Sequence, residues 1–458
     1  MNNEQKADKS TEIFRNAPVT NAIWSNAIPA MIAMMMVLIY NLADTFFIGQ
    51  THDAIQVASV SLATPVFLIF MAIGTVFGIG GTSVISRALG EGKKEYAKKV
   101  CSFCMWSCVI VGVFLSAFFL LFMDQILGWI GASEDTFSYT KTYLTIVAFS
   151  GPFVLISNCY SNVIRAEGES RKAMMGQLLG NLINVVLDPI MILVFGWNIA
   201  GAAIATVIGN VIGAAYYLLY FLKGGSSLSI NPKDFTVKEK VCSSVLAIGI
   251  PASLGSLLMS VSQIIVNGQM ARYGDMALAG IGVAMKVTMI TGMICIGFGQ
   301  GIQPLLGYCV GATLWGRFKK VMKSSIIYSL ILSGIMTLVC LIFTRPIVQA
   351  FLSDEAAINY AITFSRILLT TSFLFGVFYV LANALQAMGA AKEALIINVS
   401  RQGIVYIPAL FILQIFLGAN GLAWAQPVAD VISTLFVIFL YTNTLKRMQN
   451  GDWDPKSG

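Results

Sequence analysis

Two acidic residues, Asp44 and Asp188, each stand inside an apolar stretch long enough to cross a bilayer. A carboxylate in hydrocarbon is costly and persists where it faces a cavity, a counter-charge or an ion path. Tyr40 lies four residues before Asp44, and Asn184 four before Asp188, so each pair shares one helix face. Thr206 falls early in the next apolar stretch, at the depth of Asp188. Such groups suit reversible uptake of a small cation. Carboxylate, amide and hydroxyl oxygens can hold sodium, and a close pair of acids equally suits a shared proton. A blander reading of Asp44, five residues before Gly49 and a loop, is contact with headgroup water at a span end.

Only a membrane-spanning framework can place these groups, and the composition is of that kind. The chain has 458 residues, 57% of them hydrophobic and 11% charged, with a mean hydropathy of +0.78. Soluble domains carry about 25% charged residues. Twelve apolar spans are predicted near 21–46, 57–84, 100–123, 141–164, 173–195 and 198–222, then 244–270, 279–308, 321–343, 358–384, 394–416 and 419–443. Each is long enough for a hydrocarbon core of ~30 Å. The expected fold is an all-α integral membrane protein: two six-helix lobes related by a pseudo-two-fold axis along the membrane normal. Its parts are a tail (1–20), an N-lobe (21–222), a linker (223–243), a C-lobe (244–443) and a second tail (444–458).

The repeat is visible in the residues. A spacing of 221 places Lys98-Lys99-Val100 on Lys319-Lys320-Val321 and Arg165-Ala166-Glu167-Gly168 on Gln386-Ala387-Met388-Gly389. Ile28-Pro29 meets Ile250-Pro251 at a spacing of 222. Six spans per copy give both copies the same orientation, as in parallel-repeat transporters, with substrate expected between them. The formal net charge of +7 gathers in alternate short loops, from Arg87, Lys93 and Lys94 to Arg317, Lys319 and Lys320. That pattern is an orientation signal rather than a nucleic-acid surface, and it puts both termini in the cytoplasm.

Other polar groups inside spans carry weaker expectations. Lys286 and Asp430 read as interlobe or structural charges, while Arg366 and Arg401 read as snorkelling to an interface. Asn158 and the methionines Met31, Met35, Met285, Met289 and Met293 are candidates for a substrate cavity. Flexible thioethers suit flat lipophilic cations, although such stripes also serve simply to pack helices. Eight cysteines, Cys101, Cys104 and Cys108 among them, read as small packing residues, and the sole histidine, His52, falls in a short loop. The polar segment 1–15 does not read as a cleavable signal peptide. No HExxH, no GxxxxGK[ST] and no soluble nucleotide domain is present, which argues against an enzyme or an ATP-driven pump. Transport driven by an ion gradient remains.

Tyr40-Asn41-Leu42-Ala43-Asp44-Thr45, Arg165-Ala166-Glu167-Gly168, Asn184-Val185-Val186-Leu187-Asp188-Pro189 and Gly201-Ala202-Ala203, in that order, resemble the multidrug and toxic compound extrusion (MATE) family, its bacterial MepA-like branch in particular. The resemblance covers essentially the whole chain. It implies an antiporter of the bacterial inner (plasma) membrane that exports lipophilic cationic drugs and dyes in exchange for protons or sodium; a monomer is expected. It maps the cation site onto Asp44, Asn184, Asp188 and Thr206 with Tyr40 nearby, and implies no cofactor beyond that ion. Other members place coupling carboxylates in the seventh and tenth spans. Here the seventh offers Ser262, Gln263 and Asn267, and the tenth only the charge of Arg366. The expected cycle is alternating access, with cation binding reshaping the N-lobe. Rival readings are a flippase for lipid or lipid-linked oligosaccharide, with a cationic cavity built on Lys286, Arg366 and Arg401, and a membrane-embedded lipid-modifying enzyme.

Overall fold

The structure, a computed structural model, describes residues 12–51 and 53–450, so the ends of both tails and His52 lie outside the described residues. All regular structure among the described residues is helical. The first repeat comprises α1 (Val19–Gly49), α2 (Ala54–Gly90), α3 (Lys94–Leu121), the short α4 (Met123–Trp129), α5 (Glu134–Phe149), α6 (Gly151–Ala166), α7 (Ser170–Pro189) and α8 (Asn198–Leu222). The second comprises α9 (Val241–Met270), α10 (Asp275–Gly311), α11 (Trp315–Ile342), α12 (Thr344–Gln349), α13 (Glu355–Leu369), α14 (Leu374–Met388), α15 (Ala391–Val399), α16 (Tyr406–Leu417) and α17 (Ala419–Gln449).

Among the described residues ten helical stretches are long and apolar enough to span a membrane, and two bent pairs, each counted as one span, raise the number to twelve. The pairs are α5–α6, bent by 58°, and α13–α14, bent by 51°. The sequence reading took each as one span, 141–164 and 358–384. The two bends have different chemical causes. Between α5 and α6 stands Ser150-Gly151-Pro152, where proline withdraws a donor from the helix ladder. Between α13 and α14 there is no proline. Instead the hydroxyls of Thr370 and Ser372 donate to the carbonyls of Ile367 and Leu368 at 2.6 and 3.1 Å. Side chains that bond to nearby carbonyls in this way compete with the helix and bend it.

The repeat extends to helix boundaries. The spacing of 221 carries the first residues of α3, α4 and α5 onto those of α11, α12 and α13. It also carries the N-cap Ser133, which accepts from the Thr136 amide, onto the N-cap Asp354, which accepts from the amides of Ala356 and Ala357. Such caps satisfy amides that have no partner within the helix. Side chains at the helix exteriors are apolar, as at Leu121 and Ile415, about four-fifths exposed. A membrane helix presents such residues to lipid.

The chain forms two compact units, and the division falls inside α1 and α9. Residues 32–249 belong to the first unit; Pro18–Met31 joins the chain from Ile250 in the second. Glycine permits the packing of the exchanged segments. A Cβ on Gly249 would lie 2.0 Å from the Val76 carbonyl oxygen, and one on Gly301 would lie 2.6 Å from the Ala27 Cα. Backbones approach this closely only where a side chain is missing.

The hydrophilic segment after α8 is held to the first unit. Ser102 donates to the Asn231 carbonyl at 2.7 Å, Trp106 Nε1 to that of Ile230 at 3.2 Å, and the rings of Phe103 and Phe235 stack at 6.0 Å. Glu167, buried at the end of α6, accepts from Tyr220 Oη, Ser226 Oγ, and both the amide and the hydroxyl of Ser227.

Candidate cation site and polar cavity of the first unit

Span five carries a polar stripe. Gln177, Asn181, Asn184 and Asp188 follow one another at intervals of four, three and four residues and so line one face of α7. At its end Pro189 interrupts the donor ladder, and residues Ile190–Val194 continue as a wider π turn. Bulges of this kind are frequent at functional sites. Helix α8 lies against the stripe because Gly180 and Gly209 face each other. A Cβ on Gly209 would sit 2.6 Å from the Gly180 carbonyl oxygen and 3.1 Å from the Asn184 Cβ. This approach sets Thr206, one turn before Gly209, beside Asn184, whose Nδ2 donates to Thr206 Oγ1 at 3.3 Å.

Asp188 is fully buried, Asn184 and Thr206 nearly so. No protein group hydrogen-bonds either carboxylate oxygen of Asp188, nor the buried Asn184 Oδ1 and Asp44 Oδ1. Buried polar atoms without partners are rare, and each calls for an explanation. Asp44 interacts electrostatically with Asp188, and the phenols of Tyr40 and Tyr143 interact electrostatically with both acids and face Thr206. The structure therefore brings Tyr40, Asp44, Asn184, Asp188 and Thr206 into one cluster and adds Tyr143 of α5. The four unpartnered oxygens form an acceptor-only set, the donor chemistry that a proton or a hard cation satisfies.

A cavity of about 620 Å³, part of it open space at its mouth, adjoins this cluster. Tyr40, Asn184 and Thr206 line it together with Asn158, Gln177, Asn181 and Asn210. Asn158 Nδ2 donates to the Met71 carbonyl at 2.6 Å and to Thr75 Oγ1 at 3.1 Å. Gln177 Oε1 and Asn181 Nδ2 have no partner. The polar part of the wall is thus mainly amide, set among apolar residues such as Val37, Phe67 and Val154, with Met71 its one methionine. Of the methionines named as cavity candidates, Met35 lies in the first unit, whereas Met31, Met285, Met289 and Met293 lie in the second. Met285 packs against that unit's core. Sequence reading passed over Gln177, Asn181 and Asn210, although the stripe through Asp188 and the Thr206–Asn210 interval of one turn were there to be counted. Tyr143 offered no such signal.

The second unit holds a different polar cluster and corrects one expectation. Arg401, expected to snorkel, is buried. Its Nε donates to Asp430 Oδ1 at 3.0 Å and its Nη1 to Tyr379 Oη at 2.9 Å. A carboxylate within reach removes the reason to seek an interface. Asp430 also accepts from Gln426 Nε2 at 2.9 Å and from Thr371 Oγ1 at 3.5 Å. Lys286 instead lies over the ring of Phe351 at 5.4 Å, and Arg366 is exposed.

Comparison with known proteins agrees with this architecture. The MatE family model matches twice, at residues 29–190 and 251–412, which are the two repeats. The multidrug export protein MepA of Staphylococcus aureus (strain MRSA252) is 32% identical over 445 residues, covering 96% of this chain and 97% of that protein. MepA of Staphylococcus haemolyticus (strain JCSC1435) is 31% identical over 443 residues, with the same coverage. Among solved structures, the outward-facing conformation of a multidrug resistance MATE family transporter of the MOP superfamily superposes with a TM-score of 0.92 at 22% identity, covering 96% of this chain and 99% of that one. With both repeats matched and a relative of this identity aligned along nearly its whole length, the chain belongs to the MatE family of multi-span membrane transporters.

Proposed function

We propose that this chain is a cation-coupled multidrug antiporter of the bacterial inner membrane, with both termini cytoplasmic, exporting lipophilic cationic compounds by alternating access. The observation that carries the coupling is Asp188: fully buried, with neither carboxylate oxygen hydrogen-bonded, beside Asp44 and the unpartnered Asn184 Oδ1. A proton or a sodium ion bound there supplies the missing partner.

Coupling needs drug and cation to favour different states, since a ligand with equal affinity for both shifts nothing. The shared wall of Tyr40, Asn184 and Thr206 supports such competition. Cation uptake by the acids redirects groups that also face the cavity, and a lipophilic cation there meets a negative wall only while the acids are unloaded. The positive loops support the orientation, and the relatives named for multidrug export support the substrate class.

The test is ethidium movement in proteoliposomes, under a proton gradient and a sodium gradient imposed separately. Efflux driven by one of them, and lost in Asp188→Asn with protein yield unchanged, is the expected result. Normal efflux in that variant would sink the coupling role. A flippase with a cationic cavity is less well supported, because Asp430 neutralises Arg401.

A further inference from the structure

The guanidinium of Arg401 sits in an arrangement that resembles a receptor for a cation. It lies 4.9, 4.8 and 5.3 Å from the ring centroids of Phe375, Phe378 and Tyr379, and it donates to a buried carboxylate and a phenol. Aromatic faces around a carboxylate are how proteins recognise guanidinium and quaternary ammonium groups. The occupant here is a side chain of the chain itself.

The internal repeat gives the arrangement its meaning. The spacing of 221 carries three residues that line the first unit's cavity, Asn158, Gly180 and Gly209, onto Tyr379, Arg401 and Asp430. In the first unit the two glycines touch and leave space beside them. At the matching positions of the second unit a cation and an anion touch. The two carboxylates contrast in the same way: Asp188 has no hydrogen-bond donor, while both oxygens of Asp430 are engaged by Arg401, Gln426 and Thr371.

We propose that Arg401 is a tethered counter-cation, which occupies the second unit's counterpart of the cavity and closes Asp430 to mobile ions, so that exchange runs through the first unit alone. The proposal rests on the coupling role of Asp188. Arg401 is then a positioning residue that keeps Asp430 out of ion exchange, and the pair carries none of the ions that move with drug. A guanidinium carries its charge at any physiological pH, so the closure is permanent rather than switched.

Two arms test this on the full-length chain. In the first, radiolabelled methylguanidinium binding is measured in detergent. Arg401→Ala is expected to bind it saturably and at least tenfold more tightly than the unaltered protein, and Arg401→Ala/Asp430→Asn is expected to lose that binding. Arg401→Ala that is monodisperse but binds no methylguanidinium overturns the proposal. If Arg401→Ala folds only when purified with methylguanidinium, the proposal is supported; if the ligand does not restore folding, it is overturned. In the second arm, the ion-to-ethidium ratio is taken from reversal potentials of Arg401→Gln/Asp430→Asn, a pair without a stranded charge. An unchanged ratio is expected, and a changed one means that the pair itself exchanges ions. Should Asp188→Asn retain gradient-driven efflux, the coupling assignment fails by itself, while methylguanidinium binding still reads the cage around Arg401.

Discussion

Gly180 of α7 meets Gly209 of α8 in the first unit, and 221 residues further along, Arg401 meets Asp430 in the second. One duplicated scaffold has solved the same helix crossing twice, once by removing side chains and once by pairing opposite charges. The first solution leaves unpartnered oxygens and open space beside the crossing; the second leaves neither for Asp430. Polar atoms buried without partners destabilise a fold, so the carboxylate of Asp188 carries a cost that the carboxylate of Asp430 does not. This division is what a transporter with its exchange chemistry in one repeat requires.

The largest expected effects come from removing the acid of each unit. Asp430→Asn strands the buried guanidinium of Arg401, and loss of one partner of a buried pair costs about 3–5 kcal/mol. A melting midpoint lowered by many degrees, or failure to purify, is the expected outcome. Asp188→Asn removes a charge that no protein group stabilises. Its midpoint should hold or rise while gradient-driven efflux falls to background. Thermal unfolding of the two variants in one detergent checks the contrast, and equal midpoints would break it.

The crossings themselves come next. A Cβ at Gly209 would meet the backbone of α7 at 2.6 Å, so Gly209→Ala must push the two helices apart. Overpacking of this kind costs about 1–3 kcal/mol, and here it also separates Thr206 from Asn184. Weaker cation dependence of efflux should accompany the lower midpoint. Gly403, beside Arg401 in the second unit, is the control: a Cβ there meets nothing closer than 3.6 Å. Gly403→Ala should leave transport and stability near their starting values. A Gly209→Ala protein as stable as Gly403→Ala would show that the crossing is not tight.

Much of this was legible in the residues because hydrocarbon makes polar groups conspicuous. Asp44 and Asp188 stood out for that reason, spans and repeat followed from period and spacing, and the family from the resemblance of a few short motifs. Other features depend on tertiary partners. Arg401 reads as a snorkelling residue until Asp430, 29 residues away in another helix, is seen to meet it. The bend at Thr370–Ser372 has no proline to announce it, and the amide wall required counting one more turn along α7. Tyr143 enters the cluster only through the packing of α5.

The smallest expected effect again separates the units. Glu167 is the acid of the Arg165-Ala166-Glu167-Gly168 motif, and its counterpart at the spacing of 221 is Met388, which cannot titrate. Burial pushes the Glu167 carboxyl up to about 7, against the opposing pull of hydrogen bonds from Ser226, Ser227 and Tyr220. The contact therefore holds a proton more readily than the exposed carboxyl, whose ordinary value is 4.5. Linkage fixes the sign: the form that binds more protons is favoured as pH falls, so the contact tightens below pH 7 and loosens above it. Between pH 6 and 8 these two values imply a change of about tenfold in its opening equilibrium. Hydrogen exchange at the Ser227 amide, corrected for the intrinsic pH dependence of exchange, should follow that change, and Glu167→Gln should flatten it. The Gln386–Gly389 segment should show no corresponding step. A step of equal size there, or one that persists in Glu167→Gln, would assign the titration to some other group.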